Sequence, residues 1–366
     1  MVIKNNCRYF QGETPCRFNQ LCDTCPYYKE FGTKILIIKC GAMGDVLRTT
    51  CLLTGLKRKY PDSYISWLVD EESEELLSNN QFIDRIIVYN LEEIPRFLVE
   101  RYDVVICLDK EIKSTALATK ISAREKYGFG INQYGSLTIF NKASEYAFRL
   151  GIDNNLKFYQ NQKTYPQLIY EMCELDYQND EYILNLEEEN KNKVNQFFKK
   201  NKIASNLCIG LNTGAGTKFE TKRWPEEKFL ELIGYLGEKL QVAIFLLGGE
   251  KEREINKNIE MKSNYKVYNT GSDNSPLDFA GFISLMDLIV SSDSLAMHLA
   301  IALKKKVIVL FGPTCPQEIE LYSRGKKIFT GVDCSPCYKQ FCPDMKCMKS
   351  ISAKKVFQEI ENLIKK

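Results

Sequence analysis

The sequence predicts an α/β protein made of two Rossmann-like halves, and three observations predict it. A short β-branched apolar run at 34–39, KILIIK, is followed at once by a glycine turn, GAMGD. Apolar residues at helical spacing come next (Val46, Leu47, Leu52, Leu53, Leu56). The same succession begins again at CIGLN, 208–212, after a polar middle, and a third time where LIVSS, 288–292, runs into SLAMHLAIAL. Strand, turn and helix in that order open a βαβ unit, and their alternation argues for a parallel, doubly wound sheet.

Taken in order, the first half has a strand at 34–39 and a helix over 46–60, then strands at 64–69, 85–89 and 103–108. Periodicity weakens between about 151 and 206, where EEENKNK leads into a helix, and the division between the halves falls in this stretch. The second half has strands at 208–212, 242–249, 266–268, 288–292 and 307–312, with helices over 226–240, 251–260 and 294–303. An amphipathic helix over 351–364, apolar at Val356, Ile360 and Ile364, closes the chain.

At 366 residues, the chain is long enough for two domains with full cores. Fifty basic against 47 acidic residues give a formal charge of +3. That is too even a balance to demand nucleic acid, which needs a concentrated basic face. The longest apolar runs, such as VIVLFG at 307–312, fall far short of the ~18 residues of a spanning helix. No apolar leader segment precedes Cys7, so the expectation is a cytoplasmic protein.

Three constellations carry chemistry. In GAMGDVLRTT, 41–50, glycines between strand end and helix start let backbone amides approach a ligand at the helix's positive end. Asp45 sits at that helix start, among Gly41, Met43, Gly44 and Arg48, where its carboxylate faces the carboxyl end of the sheet. An ordinary N-cap is the competing reading. The dinucleotide fingerprint G-x-G-x-x-G is absent.

The second, NTGAGTKFETKRWP at 212–225, combines Thr213, Gly214 and Gly216 with Lys218, Lys222 and Arg223 directly after a strand. That suits a phosphate better than it suits a merely solvated basic loop. In the third, SSDSLAMHLAIAL, amides around Ser294, Leu295 and Ala296 could hold a pyrophosphate, while Asp293 could simply cap the helix. His298 is the only histidine of the chain and reads as a buried core residue, which excludes chemistry needing two histidines.

Together, in this order, these stretches resemble glycosyltransferase family 9, the heptosyltransferases of lipopolysaccharide core assembly. The resemblance rests on ILIIKCGAMGDVLRTTCLLTGLKRKYP, GLNTGAGTKFETKRWPEEKFLELI, MDLIVSSDSLAMHLAIAL and VIVLFGPT, and leaves 151–206 unmatched. It implies a GT-B fold, two Rossmann-like domains facing a central cleft, with an acceptor domain at 33–165 and a nucleotide-sugar domain at 166–330. Cysteine-rich segments at 1–32 and 331–366 would flank them.

By the same resemblance, Asp45 is the general base and Lys222 the phosphate-binding lysine, and the turn Asp293–Ser294–Leu295–Ala296 receives the donor diphosphate. Here Ser-Leu-Ala stands where Thr-Gly-Leu is common. Glu250 or Glu252 would bind the nucleoside ribose. The implied donor is ADP-heptose-like, the reaction inverts the anomeric carbon, and the acceptor is a glycan or glycolipid met at the cytoplasmic face of the inner membrane. No D-x-D occurs, so catalysis is expected without a metal ion.

Fourteen cysteines are many for such a chain. Cys7, Cys16, Cys22 and Cys25 form C-x8-C-x5-C-x2-C, and Cys334, Cys337, Cys342 and Cys347 form C-x2-C-x4-C-x4-C. Each set can fill a structural zinc site, with four-cysteine iron ligation or mostly unligated thiols as the alternatives. The other six, scattered among apolar neighbours, read as small core residues. Competing functions are a glycosyltransferase with another nucleotide sugar or a protein acceptor, and a non-enzymatic zinc protein that binds nucleic acid. Arg8, Tyr9, Arg17 and Phe18 would serve the latter, which leaves the three glycine turns unexplained. A nicotinamide oxidoreductase lacks its fingerprint.

Overall fold

The computed structural model describes residues 2–205, 207–216 and 219–365. Two six-stranded sheets organise it. The first contains β1 (Lys34–Ile38), β2 (Tyr64–Val69), β3 (Arg85–Val88), β4 (Arg101–Cys107), β5 (Ser122–Ile131) and β6 (Leu137–Ile139), in the order β3-β2-β1-β4-β5-β6. Only β6 runs antiparallel to its neighbour. The second contains β7 (Cys208–Asn212), β8 (Ala243–Leu247), β9 (Val267–Asn269), β10 (Leu288–Ser292), β11 (Lys306–Phe311) and β12 (Gly325–Phe329). These are all parallel, in the order β12-β11-β10-β7-β8-β9.

Both orders reverse direction beside their first strand, between β1 and β4 and between β7 and β10. Such a switch point leaves a crevice at the carboxyl ends of the strands, where ligands of open α/β sheets bind. The central strands are covered by helices on both faces, hence their unbroken apolar runs: KILII is buried over Ile35–Ile38, and β7, β8 and β10 are buried throughout.

Three differences from the sequence expectations have local causes. The expected helix over 46–60 is two, Met43–Thr49 and Leu52–Lys59. The hydroxyls of Thr49 and Thr50 bond back to the carbonyls of Asp45 and Leu47 at the break, in competition with the helix ladder. Strand β5 begins with the charged SAREK and so lacks the apolar signature. Strand β12, GKKIF, is a partly exposed edge whose lysines suit such a position.

The helix Tyr165–Met172 packs on the first sheet's helices, with Tyr170 donating to Cys51 O and accepting from Gly55 N. The helix Glu188–Lys200 instead lies against Pro276–Ser284 of the second half, where Gly281 abuts Asn190 and Val194. The two halves meet through Met43–Thr49 and Leu295–Ala302. The closing helix Ala353–Ile364 stays with the second half, with Phe357 stacked on Tyr235 and Leu363 O accepting from Lys306. Cys40, Cys51, Cys107, Cys173, Cys208 and Cys315 are buried free thiols, in keeping with their reading as core residues.

Candidate active site

On the first wall of the crevice, the turn after β1 delivers Asp45 into the first turn of Met43–Thr49. Its Oδ1 lies 2.9 Å from Arg48 Nη2 and its Oδ2 lies 3.8 Å from Lys39 Nζ. Burial by itself would raise its pKa; Arg48 foremost, then Lys39, outweigh that and hold the carboxyl below its ordinary value. Lys39 is itself buried, 2.6 Å from Asp109 at the end of β4 and bonded to Gly41 O. Asp109 also accepts from Cys40 N and Ser114 Oγ. This buried network fixes the 41–45 turn from below. The guanidinium of Arg48 lies 3.6 Å over the Tyr165 ring, and Tyr165 pairs with Thr49.

Gly44 is needed for the approach of the second wall. A Cβ there would lie 2.5 Å from His298 Cδ2. His298 is buried as expected, yet it sits at the contact between halves, with Nδ1 free of a partner among the described residues. Burial, then the Arg48 charge, pulls its pKa down to about 4, so the ring is neutral at physiological pH.

The second wall is a hydroxyl–amide lattice at the β7–β10 switch point. Asn212 Nδ2 donates to Gly214 O (2.9 Å), Ser291 Oγ (3.1 Å) and Ser294 Oγ (3.2 Å), and Ser292 Oγ donates to Gly214 O. Ser294 is the N-cap of Leu295–Ala302, but its side chain faces Ser291 and Asn212 and caps no helix amide. Among the described residues the first-turn amides of Leu295 and Ala296 therefore lack a side-chain acceptor. Thr213 turns away, bonding Asn256 Oδ1 at 2.6 Å. Lys222 Nζ stands 3.6 Å from Asp293 Oδ2, and its charge is among those that hold Asp45 ionised.

The two glutamates separate clearly. Glu252 is buried against Gly214 and Gly248, its Oε2 accepts from Gly249 N, and its Oε1 has no hydrogen-bond partner among the described residues. Glu250 lies at the surface with Arg253. Lys218 falls outside the described residues. Met43 is half-buried and packs on the core.

Sequence reasoning missed Lys39 and Asp109. Asp109 carried one usable signal, an acidic residue directly after a buried strand. It also missed Glu318, in the Pro316–Glu318 turn, whose carboxyl is pushed up by burial. Glu318 sits near Tyr338, which carries Lys157 Nζ 3.6 Å over its ring.

The cysteine-rich tail returns to this wall. Thr221 Oγ1 donates to Lys339 O, the amides of Cys337 and Tyr338 donate to Pro313 O, and Trp224 Nε1 donates to Ile351 O. The tail thus braces the Lys222 loop. Cys334, Cys337 and Cys342 are electrostatic neighbours of Cys347. Among the described residues, however, no three His, Cys, Asp or Glu side chains are placed to hold a metal ion, in this cluster or the N-terminal one.

The family model described as glycosyltransferase family 9 (heptosyltransferase) matches residues 94–348. The chain belongs to this family. As a family 9 enzyme it is a glycosyltransferase. Lipopolysaccharide heptosyltransferase 1 of Campylobacter coli is 28% identical over 307 residues, 77% of this chain and 84% of the relative. Its Escherichia coli K12 counterpart is 23% identical over 81% of this chain and 92% of its own. In fold, a family 9 glycosyltransferase from Veillonella parvula superposes with a TM-score of 0.74 at 19% identity, covering 91% of this chain and 97% of that one. The E. coli ADP-heptose lps heptosyltransferase II superposes with a TM-score of 0.66 at 21% identity, covering 91% and 98%. The expected GT-B architecture is borne out.

Proposed function

We propose that this enzyme transfers a heptose from ADP-heptose to a lipopolysaccharide-core acceptor, with inversion and without a catalytic metal ion. One observation carries the reading. An ionised carboxylate, Asp45, stands on one wall of the crevice, and a lysine and an uncapped helix start, Lys222 and Leu295–Ala302, stand on the other. The names of the relatives support the sugar and acceptor.

The acceptor hydroxyl attacks the anomeric carbon from the face opposite ADP as the bond from that carbon to the β-phosphate oxygen breaks. Asp45 takes the hydroxyl proton, and ADP leaves with the bonding pair. Charge growing on the leaving diphosphate meets Lys222 and the first-turn amides of Leu295 and Ala296, donors already in place before reaction. This lysine and these amide donors do the work for which other sites use a metal. Glu252 Oε1, 3.6 Å from Arg223 Nη2 and without a hydrogen-bond partner among the described residues, accepts from a ribose hydroxyl. We place the meeting with a lipid-linked acceptor at the cytoplasmic face of the membrane; among the described residues no helix is long and apolar enough to cross it.

The test is a transfer assay with ADP-heptose and a heptose-deficient core acceptor, run in EDTA. Product of inverted configuration supports the reading. Transfer from UDP- or GDP-sugars but never from ADP-heptose, or activity abolished by EDTA and restored by magnesium, contradicts it.

A further inference from the structure

One carboxyl of the crevice has no part in the steps above. Glu318 ends the turn Pro316–Glu318, which follows β11 at the carboxyl end of the second sheet. Strand β11 lies beside β10, so this turn comes next along the wall that carries Asp293 and Ser294.

Both halves hold the turn. Pro316 restricts the backbone at its start. Gln317 Nε2 donates to Lys157 O at 3.0 Å, and Lys157 belongs to the first half, where its neighbour Leu156 packs with Leu150 and Leu168. Tyr338, from the cysteine-rich tail, stacks on Phe158 with ring centres 5.7 Å apart. Its hydroxyl accepts from Cys315 N and lies 3.4 Å from Glu318 Oε1.

The carboxyl held this way contributes little to the fold. Among the described residues the Tyr338 hydroxyl, at that long distance, is its single hydrogen-bond partner. Lys157 Nζ stands over the Tyr338 ring rather than on the carboxyl. Glu318 is half-buried, and burial foremost pushes its carboxyl up. Lys157 and Arg48 pull it down, while Asp293 and Asp45 push it up further. Taking a carboxyl out of water beside two others costs stability that one long hydrogen bond does not return. A group kept at that cost in a ligand crevice fits a use in binding.

The same neighbours locate it. Asp45 stands on the acceptor side of the crevice, and Asp293 stands beside Lys222 on the diphosphate side. A carboxyl that feels both charges faces the space between them, which the sugar in transit must occupy.

We propose that Glu318 is a further substrate-binding residue, whose free carboxyl oxygen accepts a hydrogen bond from a hydroxyl of the sugar being transferred. The assignment rests on the placing of acceptor and diphosphate proposed above. The hydroxyl supplies the partner that the fold leaves out, and it arrives only with the sugar. A donor lacking it leaves the carboxyl unsatisfied, so Glu318 selects among nucleotide sugars and adds nothing to nucleotide affinity.

The experiment measures kcat/KM for the parent, Glu318→Ala and Glu318→Gln, using the donor and analogues that each lack one hydroxyl of its sugar. The parent is expected to lose roughly 10–100-fold with one analogue, the scale of a hydrogen bond to a charged group. Glu318→Ala is expected to treat that analogue and the intact donor alike within about threefold, and to bind ADP within about twofold of the parent. Glu318→Gln keeps an acceptor oxygen and should retain part of the discrimination, with a Tm no lower than the parent's. Should the alanine variant not fold, Glu318→Gln carries the same comparison. Four results would overturn the assignment: a parent indifferent to every donor hydroxyl, an alanine variant as selective as the parent, coupling to an acceptor hydroxyl instead, or a glutamine variant that melts well below the parent. A parent that does not use ADP-heptose strikes only the proposed sugar. The comparison then runs on the nucleotide sugar it does accept and still decides the role of Glu318.

Discussion

Arg48 Nη2 approaches Asp45 Oδ1 to 2.9 Å from the next turn of the same helix. The pair sits where the helix enters the crevice, so one residue sets the charge state of the other at the proposed place of reaction. Arg48 is the largest influence opposing the burial of Asp45. A carboxylate held down in this way stays ionised through the physiological range, and its proton-accepting form is the resident one.

Removing Arg48 is therefore expected to raise the Asp45 pKa. In the proposed reaction the active form is the ionised one, so the acid limb of kcat/KM against pH should move to higher pH in Arg48→Met, with little change far above it. Unfolding measured across pH gives the matching sign. The depressed Asp45 pKa stabilises the fold above the unfolded value and loses that effect as pH falls, and Arg48→Met should flatten this loss. A pH–rate profile that superposes on the parent contradicts the assignment.

Lys222 should act on the diphosphate rather than on the sugar. A charged hydrogen bond contributes about 1.5–3 kcal/mol, so Lys222→Ala should weaken ADP binding by roughly 10–100-fold in calorimetry with EDTA present. Unchanged ADP affinity, or binding rescued by magnesium, would show that the charge is met elsewhere.

Glu252→Gln should raise the ADP dissociation constant about tenfold, because the ribose would lose a charged acceptor. Glu250→Gln should stay within about twofold, since that residue lies at the surface with Arg253. The reverse ranking would place the ribose on the other side of the Glu250–Glu252 turn.

The two glutamates also mark where sequence stops being legible. They stand two residues apart, and nothing in GGEKE says which one the turn folds inward; Gly214 and Gly248 decide it by leaving room for Glu252. The glycine turns after β1 and β7 were readable because a buried strand, small residues and a helix follow one another locally. The partners of Asp45 were less so. Lys39 meets Asp109 across seventy positions, and the tail's Lys339 meets Thr221 across 118, contacts that only sheet order and chain return create. Asp45, Lys222 and Ser294 were candidates because each lies in the loop or turn that follows a buried strand, where the fold class itself predicts a ligand.

The central claim is that Asp45 takes the acceptor proton in the chemical step. The most direct measurement is single-turnover transfer by Asp45→Asn beside its donor dissociation constant. The account predicts a rate lower by about 10²-fold or more, the scale of a lost general base, with donor affinity within about threefold of the parent. A variant that transfers at the parent rate, or one whose loss lies wholly in donor binding, would contradict it.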